Sequence, residues 1–172
     1  QFESVKANVI EEVVSDKINL TFEIEDTKKI FVEKINILGN NITNENVIRN
    51  QLLLDEGDPF NQILSNKSIN NIKGLNFFRT VESEITEGSN PETRVLNIKV
   101  EEKATGEISA GAGVGTSGGT VMFGVRENNY LGKGIAVNTN FTVNAESMKG
   151  IFSIRNPNYN NSDKSAFFSI EA

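Results

Sequence analysis

The chain of 172 residues contains no cysteine and no histidine. Disulfides, thiolate nucleophiles, most zinc sites and the usual general base are therefore excluded. An enzyme would have to run on carboxylates, and the adjacent Glu101 and Glu102 cannot face each other as an acid/base pair, because neighbouring strand residues point to opposite faces. Neither a catalytic residue nor a metal or cofactor is expected. Basic charge is short as well: 17 Lys and Arg stand against 23 Asp and Glu, for a net charge of −6. Nucleic acid demands a basic stripe and is not an expected partner. No apolar run approaches the roughly 20 residues of a membrane-spanning helix, and the opening QFESVKANVI has neither the basic end nor the apolar core of a signal peptide. A β-barrel remains open, because its strands are short and alternating.

What the chain does have is glycine, concentrated in TGEISAGAGVGTSGGT, Thr105 to Thr120. Gly113, Gly115 and Gly118 match the spacing of a dinucleotide-binding loop. Such a loop opens a helix, whereas here Thr120-Val121-Met122-Phe123-Gly124-Val125 follows, β-branched and alternating. At period two, Ile108, Ala110, Ala112 and Val114 share one face, and Glu107, Ser109, Gly111, Gly113 and Gly115 the other. This is a strand. Glycine costs a strand about 0.5 to 1 kcal/mol against alanine, so three of them forfeit roughly 2 to 3 kcal/mol. Such a strand pairs weakly.

Phe2-x-x-Val5 recurs as Phe78-x-x-Val81, and Leu20, Phe22 and Ile24 recur as Leu96, Ile98 and Val100. Both share one offset of roughly 76 residues, which indicates tandem modules with only the tail of the first copy present. The complete copy follows the polar joint Glu25 to Lys29. Its first strand carries Phe31, Ile35 and Ile37 on one face and stops at Gly39-Asn40-Asn41. Thr43 is placed to cap a helix, with Ile42 and Val47 as a hydrophobic staple and Val47, Ile48, Gln51 and Leu52 as the inner stripe. Glu56-Gly57-Asp58-Pro59 breaks that helix. A second runs from about Asn61 to Gly74 with Leu64, Ile69 and Ile72 inward. Strands at about Phe77 to Thr86 and Thr93 to Glu102 complete a β-α-α-β-β order of about 73 residues, near the lower limit for an independent core.

From Gly106 onward only strands are expected: the glycine strand, Thr120 to Glu127, Ile135 to Asn144, Gly150 to Asn156 and Ser165 to the end. On the third, Ile135, Val137, Phe141 and Val143 oppose Asn138, Asn140, Thr142 and Asn144. This suits a lipid exterior and a wet lumen, or one face on a soluble sandwich core and one in solvent. Tyr130 and Tyr159 fall in connections at one end of the sheet, as an interfacial girdle requires.

FVEKINILGNNIT, VIRNQLLLDEGDPFN, GLNFFRTVE, VEEKATGEISAGAGVGT, NNYLGKG and RNPNY, in this order, resemble the BamA family, whose members assemble β-barrel proteins in the bacterial outer membrane. The resemblance implies an α+β POTRA module followed by antiparallel strands of an incomplete transmembrane β-barrel. Residues 1–29 would be the end of a preceding POTRA module, 30–103 the last one, and 104–172 the first barrel strands. The chain is accordingly expected to be a piece of a longer one. Implied partners are unfolded outer-membrane proteins, outer-membrane lipid, and the lipoprotein BamD with other lipoproteins of the complex; POTRA modules would lie in the periplasm. The first barrel strand would be a lateral gate carried by Gly106, Ile108, Ser109, Gly111, Gly113 and Gly115, where incoming strands add by backbone pairing. Its glycines serve that opening, or give the strand room to coil. The match of VIRNQLLLDEGD makes Arg49 and Glu56 candidates for BamD contact. Alternatives are a POTRA/barrel transporter that exports a partner, or a soluble peptide-binding adaptor.

Overall fold

The computed structural model describes residues 7–14, 17–24, 29–115, 118–162 and 164–172. Strands β1 (Ala7–Val14) and β2 (Lys17–Ile24) form an antiparallel hairpin. Then come β3 (Phe31–Leu38), α1 (Glu45–Arg49), α2 (Gln62–Gly74), β4 (Phe78–Glu87) and β5 (Thr93–Glu102), whose strands lie in the order β3-β5-β4 with β3 parallel to β5. Strands β6 (Gly106–Gly115), β7 (Gly118–Tyr130), β8 (Ile135–Asn144), β9 (Met148–Asn156) and β10 (Ala166–Glu171) follow as an antiparallel meander, with a 3-10 turn at Tyr159–Asn161. No described helix is long and apolar enough to cross a membrane, which says nothing of strands.

The chain clusters into two compact units. One holds the described residues of 1–38 with 52–71 and 82–99; its buried side chains include Val32, Ile35, Leu54, Phe60, Ile69, Leu96 and Ile98. The other holds 39–51, 72–81 and 100–172, and buries Ile48, Ile72, Phe77, Phe78, Val81 and Val100. The repeat of Leu20, Phe22 and Ile24 falls on β2, just as its counterpart falls on β5. The partner motif Phe2-x-x-Val5 and residues 25–28 of the polar joint lie outside the described residues.

Three local expectations are corrected. Phe31 is exposed and Val32 buried, because the β3–β5 register shifts between Val32 and Lys34: a bulge places Val32 and Ile35, three apart, on the core side. Helix α1 is a single turn that starts at Glu45 after Asn44, with no side-chain cap, so Gln51 and Leu52 lie beyond it. Thr43 is not the cap; it is buried and bonded elsewhere, as described below. Helix α2, by contrast, is capped by its own sequence: Asn61 Oδ1 accepts from the N–H groups of Ile63 at 2.8 Å and Leu64 at 3.2 Å. Ile69 and Ile72 are buried, Leu64 half-buried, and Ser65 and Ser68 join them inside. Ser68 Oγ donates to Leu64 O and accepts from Leu53 N–H, which lets a hydroxyl be buried without an unmet bond.

Candidate functional site

The meander separates its side chains by face. Opposed residues of an antiparallel pair share a face, so register defines two continuous surfaces. Ile108 faces Val125, Ala110 faces Phe123 and Ala112 faces Val121. Phe123 and Val121 in turn face Phe141 and Val143, Val137 faces Ile154, and Ile154 and Phe152 face Phe168 and Ile170. This apolar surface is uncovered: Ile108 is 73% exposed, Val114 92%, Phe141 49% and Phe168 53%. An uncovered apolar surface running across five strands is unlike a water-facing one. Opposite it lie Ser109, Gly124, Asn138, Asn140, Thr142 and Ser153, with Met122, Ile151 and Phe167 among them; Arg155 stands over the Phe167 ring at 5.5 Å. Tyr130 and Tyr159 are both exposed, at the end of the sheet where β7 and β9 finish.

β6 is an edge of this sheet, paired only with β7 among the described residues. Its other side offers a row of N–H and C=O groups to an incoming strand. Gly106, Ile108, Ser109, Gly111, Gly113 and Gly115 all lie on it. None of its glycines has positive φ, and a Cβ at Gly113 or Gly115 would meet nothing within 4 Å. Local sterics do not require glycine at those two positions. Gly111 and Ser109 point to the polar face, where a Cβ at neighbouring Gly124 would meet Ser109 Oγ at 2.6 Å and Asn140 Oδ1 at 2.5 Å.

The turn after β7 locks into the loop 40–47, within the same compact unit. Glu102, at the end of β5, accepts three successive backbone N–H groups: Asn41 at 3.0 Å and Ile42 at 2.8 Å on Oε2, and Thr43 at 2.6 Å on Oε1. Burial pulls the Glu102 carboxyl up, but the bonds from Thr43, Ile42 and Asn41 together outweigh it and hold it below the ordinary value. Thr43 Oγ1 accepts from Asn129 Nδ2 at 2.8 Å, while Asn129 Oδ1 accepts from Gly134 N–H at 2.7 Å. Asn129 N–H donates to Glu127 Oε1 at 2.7 Å, which also accepts the Thr105 hydroxyl. Asn44 N–H donates to Gly132 O at 2.8 Å. Gly132 is obligatory: its φ is +70°, and a Cβ there would stand 2.0 Å from Ile42 O.

Arg49 and Glu56 fall in different compact units. Arg49 Nε bonds Glu45 Oε1 at 2.6 Å, an i,i+4 pair on α1. Glu56, in the stretch expected to break the first helix, accepts from Ile35 N–H at 3.0 Å and so supports β3 just after its bulge. Glu101 pairs with Arg79 at 3.5 Å and accepts the Thr80 hydroxyl, pointing away from the Glu102 loop.

Residues 30–103 match the POTRA family model, described as a surface antigen variable number repeat. An outer membrane protein assembly factor BamA from Neorickettsia risticii is 34% identical over 131 residues, 73% of this chain and 17% of the relative. BamA from Nitratidesulfovibrio vulgaris is 26% identical over 153 residues, 86% of this chain and 19% of the relative. The crystal structure of BamA from Haemophilus ducreyi lacking POTRA domains 1-3 superposes with a TM-score of 0.76 at 23% identity, over 98% of this chain and 32% of that one. The chain belongs to the BamA family. It spans less than a fifth of the length of these two curated relatives.

The fold is thus a POTRA module followed by antiparallel strands of a BamA-type barrel. Within this BamA-family chain the sequence marked NNYLGKG as a turn and Thr43 as a cap, and missed that they bind each other. The available signal was a helix-breaking, glycine-rich turn with two adjacent asparagines, Asn128 and Asn129, directly before it. Nothing in it names a partner 86 residues away.

Proposed function

We propose that the chain acts in assembling β-barrel proteins in the bacterial outer membrane, with β6 as a lateral gate. Residues 30–103 would be the last POTRA module, in the periplasm, 104–172 the first barrel strands, and 1–29 the end of a preceding module, as the hairpin β1–β2 and its sequence echo in β5 suggest. The observation that carries the gate is a glycine-rich edge strand on an uncovered apolar sheet, in which Gly113 and Gly115 answer no local steric demand. Backbone groups without water must find partners, so in lipid that edge takes up a strand by main-chain pairing. Unfolded outer-membrane proteins are the clients, and BamD with other lipoproteins the accessory partners. Arg49 and Glu56 remain the candidates for a BamD contact, although Arg49 pairs with Glu45 and Glu56 accepts from Ile35 N–H.

Cysteines at Ser109 or Gly111 should form disulfides with cysteines in a client's last strand, in a register stepping by two. Crosslinks spread evenly over Val121, Val137 and Ile154 would show that clients only touch the wall.

A further inference from the structure

Strand β6 carries little of its own that fixes its register on β7. Opposed side chains set register in an antiparallel pair, and a glycine-rich strand is the kind that slips. On the polar face Ser109 meets Gly124, Gly111 meets Met122, Gly113 meets Thr120 and Gly115 meets Gly118, so each of these pairs lacks a side chain on one strand or on both. On the apolar face the short Ala110 and Ala112 meet Phe123 and Val121. A shift of two residues keeps every side chain on its own face. It would set Ala112 against Phe123 in one direction, or Ala110 against Val121 in the other, alanine against an apolar residue as before. The remaining polar-face pair, Glu107 with Arg126, lies at the foot of the strand beside Gly106.

The fixed contacts gather at that foot. Thr105, just before β6, donates its hydroxyl to Glu127 Oε1, and its carbonyl accepts from Asn128 N–H at 3.3 Å and Asn128 Nδ2 at 3.2 Å. A Cβ at Gly106 would stand 3.0 Å from Glu127 Oε2, so the carboxylate lies against that residue. The β7–β8 register shifts between Glu127 and Tyr130, and Asn129, 6% exposed, pins this irregular stretch. Its Nδ2 reaches Thr43 Oγ1 and its N–H reaches Glu127 Oε1, while the N–H of Thr43, 2% exposed, is taken up by Glu102. A buried and satisfied polar pair adds little net stability over an apolar pair of the same shape, but it admits one geometry. That geometry fixes β7 at Glu127, the residue opposite Gly106.

We propose that Thr43 and Asn129 are positioning residues that set the register of β6 from its foot, acting through Glu127 and Thr105. For the proposed gate that register matters, because an added strand takes its own register from the edge it pairs with. Register is read without a client, so a β6 that takes up no client is still set in this way.

The test is disulfide trapping of the protein in lipid bilayers, free of background because the chain has no cysteine. Cysteines at Ala112 and Val121 stand opposite each other in the observed register. Cysteines at Ala112 and Phe123, or at Ala110 and Val121, do so only after a shift of two in one direction or the other. The first pair should close, and the shifted pairs should stay minor. Thr43→Val and Asn129→Leu should each raise the ratio of shifted to observed crosslink about tenfold, the factor that one buried hydrogen bond supplies. Thr43→Ser keeps the hydroxyl and should leave the ratio as it was. A ratio unchanged by both Thr43→Val and Asn129→Leu would overturn the assignment, and so would a rise in Thr43→Ser as large as in Thr43→Val. Loss of all the crosslinks in both weakening variants would show that these bonds hold the sheet together rather than set its register, and would overturn it too.

Discussion

The POTRA module and the meander spend the same kinds of residue in opposite ways. In the module, Ile98 and Ile72 are fully buried and Val32 nearly so; in the meander, Ile108, Phe123 and Phe141 stand uncovered. The module's alternation serves a core made by its own helices, whereas the meander's serves a surface that the chain leaves open. Apolar residues spaced by two thus mark one face in both regions, a face that the module buries itself and the meander leaves uncovered. Glycine divides in the same way. At Gly132 the backbone demands it, while a Cβ at Gly113 would meet nothing within 4 Å.

The largest expected effect separates the two apolar faces. Ile98→Ala should cost about 2 to 5 kcal/mol in urea unfolding of the protein in micelles, because it leaves a cavity in a closed core. Ile108→Ala should cost less than Ile98→Ala, since Ile108 is 73% exposed and its truncation leaves no cavity in a closed core. Equal costs would erase the comparison.

Glu102 tests the joint. Its carboxyl sits below its ordinary value in the folded state, so it contributes stability that is present above the unfolded value of 4.5 and lost as pH falls through the folded one. Glu33 is also held low, by the Thr93 hydroxyl and by Ser89, and acts in the same direction. Stability should therefore decline below about pH 4.5. Glu102→Gln should lower the neutral-pH stability by about 1 to 2 kcal/mol, discounted for partial solvent exposure, and flatten that decline. An unchanged acid limb in the variant would remove Glu102 from the account.

The glycines give the next contrast. Gly132→Ala, at positive φ and against Ile42 O, should destabilise by about 1 to 3 kcal/mol, whereas Gly113→Ala should stabilise β6 by up to about 1 kcal/mol. On the proposed function, the second substitution slows client assembly while raising the melting temperature. Faster assembly would place the role of these glycines elsewhere.

The smallest effect concerns Glu56. Because it accepts from Ile35 N–H, Glu56→Gln should cost about 0.5 to 1.5 kcal/mol by chemical denaturation. A cost of zero would remove this support of β3 from the account.

Period-two alternation placed Thr93–Glu102, Gly106–Gly115 and Ile135–Asn144 at the residues where β5, β6 and β8 are found, because alternation is written locally. The two faces of the meander were legible for the same reason. The bulge between Val32 and Lys34 was not, since an inserted residue breaks the period without a mark of its own. Thr43 was misread because a threonine before an apolar run suits a cap, yet tertiary partners, Glu102 and Asn129, took up both its N–H and its hydroxyl. Glu102 itself was read only as unable to face Glu101 as an acid/base pair. Its loop lies about 60 residues away in sequence, beyond any local pattern.

Central to this account is that the apolar face of the meander meets lipid and its opposite face meets water. The chain has no cysteine, so single cysteines can carry nitroxide labels without background. In lipid bilayers, labels at Val121, Phe123, Phe141 and Val143 should be relaxed by oxygen and shielded from a water-soluble nickel chelate, and labels at Met122, Asn138, Asn140 and Thr142 should show the reverse. Chelate access without a two-residue alternation along β7 and β8 would contradict it.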